Sequence, residues 1–310
     1  MSELNLSLPA SSANLGPAFD AAAVALNLEL NVHARRAERY SILARGRDAD
    51  ICGRVKDHLI LATYQEILRA EKRVAPALAL VIDNRFPIGK GLGSSAAARL
   101  AGIALAVHFG RLCWDSSRIL YEAALREQHP DNASASWMGG VTVARMGNAG
   151  ARATEVARIV PRGRWPLMLA VPELALSTEK ARAVLPKQYA RADAVANIQN
   201  SMLLWAALFE GNHQLLASSL DDRLHQPYRA PLCPLLPALQ DLPRNDGVLG
   251  VALSGAGPSV LLFLDPTRSL SRTLAKIRAR LNQRRLKAEL IITSIAKQGG
   301  AASFLRSANT

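Results

Sequence analysis

Residues Phe86 to Gly102 read FPIGKGLGSSAAARLAG. An apolar run rich in β-formers, ALALVIDNRF, precedes this stretch and predicts a strand. The alanine-rich part from about Ser94 to His108 predicts a helix, with Gly110 expected to stop it. Strand, glycine-rich turn and helix N-terminus together describe an anion site. The first turn of a helix has unpaired N–H groups and partial positive charge, and glycines let a large anion approach that backbone. Gly89, Gly91 and Gly93 provide the approach, and Ser94 and Ser95 offer hydroxyls to phosphate or to a magnesium ion. Ala96, Leu100, Ile103 and Val107 form an apolar stripe that anchors the helix. The spacing is not that of a Walker A loop, because Lys90 lies between the first two glycines, and GxGxxG does not match either. A glycine-rich turn needed only for packing is the competing reading.

Outward from this stretch, alternating or apolar runs predict strands at 3–8, 24–34, 139–146 and 165–172. Two more are joined at SGAGPS, and another lies in KAELIITSIA. Helices are expected near 57–72, from Asp115 as cap to about Gln128, at 178–185 and at 190–210. The polar, glycine- and arginine-rich segment 147–164 suggests a boundary near residue 152, giving an N-terminal domain 1–152 and a C-terminal domain 153–310. The fold class is α+β, with two units rather than a bundle or a sandwich.

The chain has 310 residues, 49% of them hydrophobic, and a net charge of +13. It lacks an apolar run long enough for a membrane helix and a signal-peptide pattern at its start. Cys52, Cys113 and Cys233 are odd in number and far apart, which argues against a disulfide framework or zinc site and suits a reducing cytoplasm. The basic surplus attracts phosphates. Its densest cluster, Ser271 to Lys287, carries Leu274, Ile277 and Leu281 at helical spacing. It reads as an amphipathic helix with a solvated basic face rather than a nucleic-acid contact.

The stretch PIGKGLGSSAA resembles the phosphate loop of the GHMP kinases, the group that includes galactokinase, homoserine kinase, mevalonate kinase and phosphomevalonate kinase. LPASSANLGPAFD, Leu8 to Asp20, resembles the first motif of that family in its homoserine kinase form, and ALSGAGPSVLLF, Ala252 to Phe263, resembles its third motif. EQHPDNASASWMGG, STEKARAVLP and HQPYR also look like homoserine kinase segments. Four positions depart from the pattern. Ala18 and Gln128 replace usual glycines, His58 stands where relatives often have asparagine near the adenine, and Arg99 is an unusual charge in the loop helix.

The resemblance implies a two-domain GHMP kinase fold, with a ribosomal protein S5 domain 2-like N-terminal domain and a ferredoxin-like C-terminal domain. It implies ATP-dependent phosphorylation of the side-chain hydroxyl of L-homoserine, a step of threonine biosynthesis, in the cytoplasm, with ATP and Mg2+ as cofactors. A homodimer is compatible with it. The nucleotide would be held by Pro87, Ile88, Gly89, Lys90, Gly91, Leu92, Gly93, Ser94, Ser95, Ala96 and Ala97, and the metal by Ser95 and Glu127. Asn14 and Asp20 would lie in the substrate pocket with His129 and Gly255, and His129 would orient its loop. Glu127, Asp131, Asn132 and Thr178 would serve the reaction. Arg182 and Arg229 would clamp the substrate carboxylate, since guanidinium forks fit carboxylates. For HPDN a plain turn competes with a catalytic role, and for Thr178 helix capping does. A GHMP kinase for another small alcohol, such as mevalonate, shikimate or a sugar, and an inactive nucleotide- or RNA-binding relative are the other readings.

Overall fold

The computed structural model describes residues 3–147, 153–242 and 246–308. The first part of the chain forms β1 (Glu3–Ala13), β2 (Ala22–Arg36), β3 (Ser41–Gly46), α1 (Ala49–Cys52), α2 (Leu59–Ala70), β4 (Leu78–Asn84), α3 (Ser94–Gly110), α4 (Ser116–Glu127), α5 (Asp131–Met138), β5 (Val141–Met146) and β6 (Thr154–Ile159). The second part forms β7 (Leu167–Val171), α6 (Thr178–Ala183), α7 (Arg191–Glu210), α8 (His213–Ser219), α9 (Gln226–Arg229), α10 (Leu235–Gln240), β8 (Val248–Leu253), β9 (Val260–Leu264), α11 (Leu270–Gln283), β10 (Glu289–Thr293) and α12 (Gly300–Ala308).

The first sheet is organised around β2. This 15-residue strand pairs antiparallel with β1 on one side, from Ala23 to Arg35 with a register shift. On the other side the strand is divided, with Leu30–Arg36 pairing with β4 and Ala22–Val24 with β5. β3 adds parallel to β4, and β6 adds antiparallel to β5. The second sheet has the order β10-β7-β9-β8. Residue 152 is not where sheet membership changes. β6 follows it and still pairs with β5 from Val141↔Ile159 to Met146↔Thr154. The strand lies within a polar, glycine-rich segment because its face is largely solvated, so it lacks the apolar run that marks a buried strand. Part of that segment, 148–152, lies outside the described residues. The end of the chain returns to the first sheet, where Leu26 bridges Ile295 and Ser303 bonds the backbone of Ser7 in β1.

Helix α3 is buried around most of its circumference, from Ala96 to Phe109, and not only along one stripe. Its composition permits this. A β-carbon on Gly102 would lie 2.5 Å from the Ile60 carbonyl, so a missing side chain lets α2 cross closely. The helix runs through Gly110, and Arg111 takes the left-handed turn expected of the glycine. Asp115 caps α4 by accepting from the Arg118 amide, as expected. Helix α11 buries Thr273, Ile277 and Leu281. Its basic face meets acids, with Lys276 pairing with Asp246 and both Arg280 and Arg284 pairing with Asp241. Among the described residues no helix is long and apolar enough to cross a membrane.

Candidate active site

The glycine-rich stretch links β4 to α3, and no side chain caps the N-terminus of α3. That leaves the positive end of a 17-residue helix open to an anion. Gly91 explains why this loop is glycine-rich. It has φ +77°, and a β-carbon there would lie 2.3 Å from the Ser254 carbonyl and 2.6 Å from that of Gly257. The SGAG turn between β8 and β9 therefore closes onto the glycine-rich loop, and Ser254 Oγ donates to the Gly91 carbonyl at 2.8 Å. The same turn docks on the end of β1. Gly255 N–H donates to the Ala13 carbonyl at 3.1 Å, and Asn14 Nδ2 donates to the Gly255 carbonyl at 2.7 Å.

Two cavities meet at this loop. One, about 150 Å³, lies between the loop, the 14–20 turn, the 127–132 segment and α6. Asn14, Asp20, Glu127, His129, Asp131, Asn132, Thr178, Arg182, Arg229 and Gly255 all line it. The other, about 830 Å³, is an apolar cleft among Ile51, Val55, Leu59, Phe86 and Ile88, with His58 at its wall. Both are lined by Gly89, Ser94 and Ser95. A β-carbon on Gly89 would touch nothing within 4 Å, so space is open where the cavities join. The residues expected to hold the nucleotide do not all face this space. Lys90 Nζ bonds the Glu173 carbonyl, and Lys90 and Pro87 line a separate surface groove. Ala96 and Ala97 are fully buried in the α3 core.

The 127–132 segment holds most of the polar chemistry. Glu127, at the end of α4, is mostly buried, unlike a plain surface glutamate, and its Oε1 accepts from Ser95 Oγ at 2.6 Å and Arg99 Nε at 2.7 Å. Gln128 takes φ +66°, a left-handed conformation that accounts for the glycine usual there. HPDN is not a free turn, because Asp131 begins α5. Asp131 Oδ1 accepts from His129 Nδ1 at 2.6 Å and from the Asn132 amide at 2.6 Å. Asn132 Oδ1 accepts from Ser11 Oγ at 2.8 Å. Burial disfavours a charge on His129, but the hydrogen bond and charge of Asp131, with Asp20 and Glu127 beyond, outweigh it and raise the imidazole pKa. One potential ligand atom each of Asp20, His129 and Asp131 lies within 4.8 Å of the others.

The two arginines differ from each other. Arg182 reaches from α6 to Asp20 in a two-point pair at 3.0 and 2.8 Å, so the guanidinium expected to take the substrate carboxylate binds a pocket carboxylate here. Arg229 is 1% exposed. It donates to the Ala181 carbonyl at 2.9 Å and lies 3.3 Å from His225 Nδ1. Among the described residues no carboxylate lies within ion-pair distance of it, and burial, then Arg182, pull its pKa down. His225 donates through Nε2 to the Gly16 carbonyl at 2.8 Å, which leaves Nδ1 as an acceptor facing Arg229. Burial lowers its pKa, consistent with that neutral ring. The ring of Phe19 lies beside both guanidinium groups, 5.7 Å from Arg182 and 5.2 Å from Arg229. Thr178 is not the cap of α6. Ser177 takes that role by accepting from the Lys180 amide, which leaves Thr178 facing the small cavity.

Residues 58–140 match the family described as GHMP kinases N terminal domain, and residues 204–283 match GHMP kinases C terminal. A homoserine kinase of Solibacter usitatus is 43% identical over 261 residues, covering 84% of this chain and 85% of that one. This chain belongs to the GHMP kinases, in the homoserine kinase branch. A homoserine kinase of Deinococcus radiodurans is 37% identical, with 83% of each chain covered. Among solved structures, this kinase resembles homoserine kinase from Cytophaga hutchinsonii, with a TM-score of 0.80, 22% identity and 96% of both chains covered. It also resembles L. major mevalonate kinase in complex with R-mevalonate, with a TM-score of 0.70 and 16% identity over 96% of both. These two likenesses concern the fold.

Sequence reasoning missed the cleft residues Ile51, Val55, Leu59 and Ile60. They come from α1, the loop after it and the start of α2, where ordinary apolar residues have no spacing that distinguishes a ligand wall from core. It also assigned no role to Ser11, Phe19 and His225, although they lie within the quoted stretches LPASSANLGPAFD and HQPYR, because they act by contacting the site residues.

Proposed function

We propose that this kinase transfers the γ-phosphoryl group of ATP to the side-chain hydroxyl of L-homoserine. One observation carries the reading: an apolar cleft and a small charged pocket meet at Gly89, Ser94 and Ser95, at the uncapped end of α3. The cleft suits an adenine and the helix end suits the phosphates. The charged pocket suits a small zwitterion. Arg229, buried with no carboxylate within ion-pair distance among the described residues, takes the substrate carboxylate, because a buried cation without a close anion is costly until one reaches it. Arg182 shares that carboxylate while keeping Asp20 in place. Asp20 and Asp131 receive the ammonium, and Asn132 and Thr178 hold the hydroxyl toward the phosphate loop.

Glu127 and Ser95 are hard oxygen donors 2.6 Å apart beside the phosphate loop, the kind of pair magnesium accepts together with phosphate oxygens. When bound there, magnesium supplies charge neutralisation for the transferring phosphoryl group. In the transfer the hydroxyl oxygen bonds to phosphorus, the bond to ADP breaks, and the hydroxyl proton leaves to phosphate or solvent. Asp131 positions the substrate rather than taking that proton, since one of its oxygens already accepts from His129 and from the Asn132 amide. Residue by residue this is charge placement and orientation, which phosphoryl transfer chiefly requires.

ADP release from ATP and magnesium, measured with homoserine, mevalonate, shikimate and galactose, tests the reading. Homoserine should turn over fastest. Faster turnover of another alcohol would refute it, and salt-sensitive RNA binding without turnover would favour an inactive relative.

A further inference from the structure

The nucleotide and substrate readings leave Arg99 unused. It lines neither cavity. It follows Ser95 by four residues on α3, so the two side chains share a helix face. Ser95 Oγ and Arg99 Nε donate to the same oxygen, Glu127 Oε1, at 2.6 and 2.7 Å. Both partners of the ion pair are largely buried, the Arg99 side chain at 25% exposure and that of Glu127 at 11%. Glu127 also ends α4, where a carboxylate meets the negative end of the helix dipole. Arg99 offsets that repulsion and ties α3 to α4.

A divalent cation held by Glu127 therefore meets two obstacles that a bare carboxylate would not present. Oε1, the Glu127 oxygen that also bonds Ser95, is already accepting a charge-assisted hydrogen bond, and a fixed positive charge stands beside it. We propose that Arg99 is a resident counter-ion of Glu127 that sets the divalent-cation requirement of this kinase. It holds the carboxylate oriented in the absence of metal and yields Oε1 to the incoming ion. Arg99 is thus a positioning residue that acts through Glu127. The proposal rests on the reading that Glu127 and Ser95 hold the metal.

The test measures Mn2+ binding to the protein with ADP, from the free-ion signal in electron paramagnetic resonance, for wild type, Arg99→Gln, Arg99→Leu, Arg99→Lys and Glu127→Gln. Removing the competing charge-assisted bond should tighten Mn2+ binding about tenfold in Arg99→Gln and Arg99→Leu. The magnesium concentration at half-maximal turnover should fall in parallel, while the homoserine KM stays unchanged. Arg99→Lys should restore most of the wild-type requirement. A purely structural strap between α3 and α4 would lower Tm in these variants without tightening Mn2+ binding. Folded Arg99→Gln and Arg99→Leu proteins that bind Mn2+ no more tightly than wild type would overturn the proposal. Glu127→Gln separates the two claims. It should lose most Mn2+ binding, and wild-type binding in that variant would remove the metal assignment itself.

Discussion

Replacing Arg229 with leucine isolates the carboxylate contact. In the structure this guanidinium is buried, faces the small cavity and has no carboxylate partner among the described residues. A charge-assisted hydrogen bond is worth roughly 1.5–3 kcal/mol. Its loss should lower kcat/KM for homoserine about ten- to a hundredfold, at about 1.4 kcal/mol per factor of ten. Stability should respond differently. Leucine removes the cost of burying a cation, but it leaves the Ala181 carbonyl without its donor, a penalty of about 1–3 kcal/mol. These effects oppose each other, so unfolding free energy should change by no more than about 2 kcal/mol. The assay compares homoserine with its methyl ester in wild type and Arg229→Leu, alongside urea melts. Wild type should discriminate strongly in favour of the acid, and the variant weakly. A folded variant that discriminates acid from ester as strongly as wild type would refute the assignment.

Arg182→Leu should cost little stability, about 0–1 kcal/mol by urea melt, because its pair with Asp20 is substantially exposed. It should still reduce kcat/KM by raising the homoserine KM. Gly91→Ala forces a β-carbon against the Ser254 carbonyl at a positive φ, so it should destabilise by about 1–3 kcal/mol and weaken ATP binding, as read by melts and nucleotide titration. His129 has a raised pKa in the folded protein. Its contribution to stability should be complete below its unfolded value of about 6.5 and fade as pH rises through the higher folded value. Unfolding free energy measured at about pH 6 and about pH 9 should therefore fall more with pH in wild type than in His129→Gln, and equal slopes would refute this.

The geometry of the glycine loop was legible because it is written in backbone chemistry: glycines where another segment of the chain approaches, then serines at an uncapped helix start. The HPDN segment was half legible. Its residue types suggest a turn, yet Asp131 opens α5, because the Asn132 amide folds back on its carboxylate and Ser134 and Ser136 bond buried carbonyls. The pairing of Asp20 with Arg182 was hidden, since it joins residues 162 positions apart across two domains. For Thr178 the sequence left capping and a site role open, because Ser177 beside it has the same chemistry and only the structure shows which of the two caps α6. The apolar cleft was invisible for a different reason. Apolar side chains lining a cavity and those filling a core obey the same periodicity, and only packing separates them. Strand β6 lacked any apolar run because it is an exposed edge.

The most direct test places homoserine, mevalonate, shikimate and galactose together at equal concentration with ATP, magnesium and the enzyme, and follows phosphorus NMR. The account predicts that the first and dominant new phosphomonoester resonance is that of O-phospho-L-homoserine, appearing as ATP is converted to ADP. A dominant resonance from any of the other alcohols, or ATP loss that yields only inorganic phosphate, would contradict it.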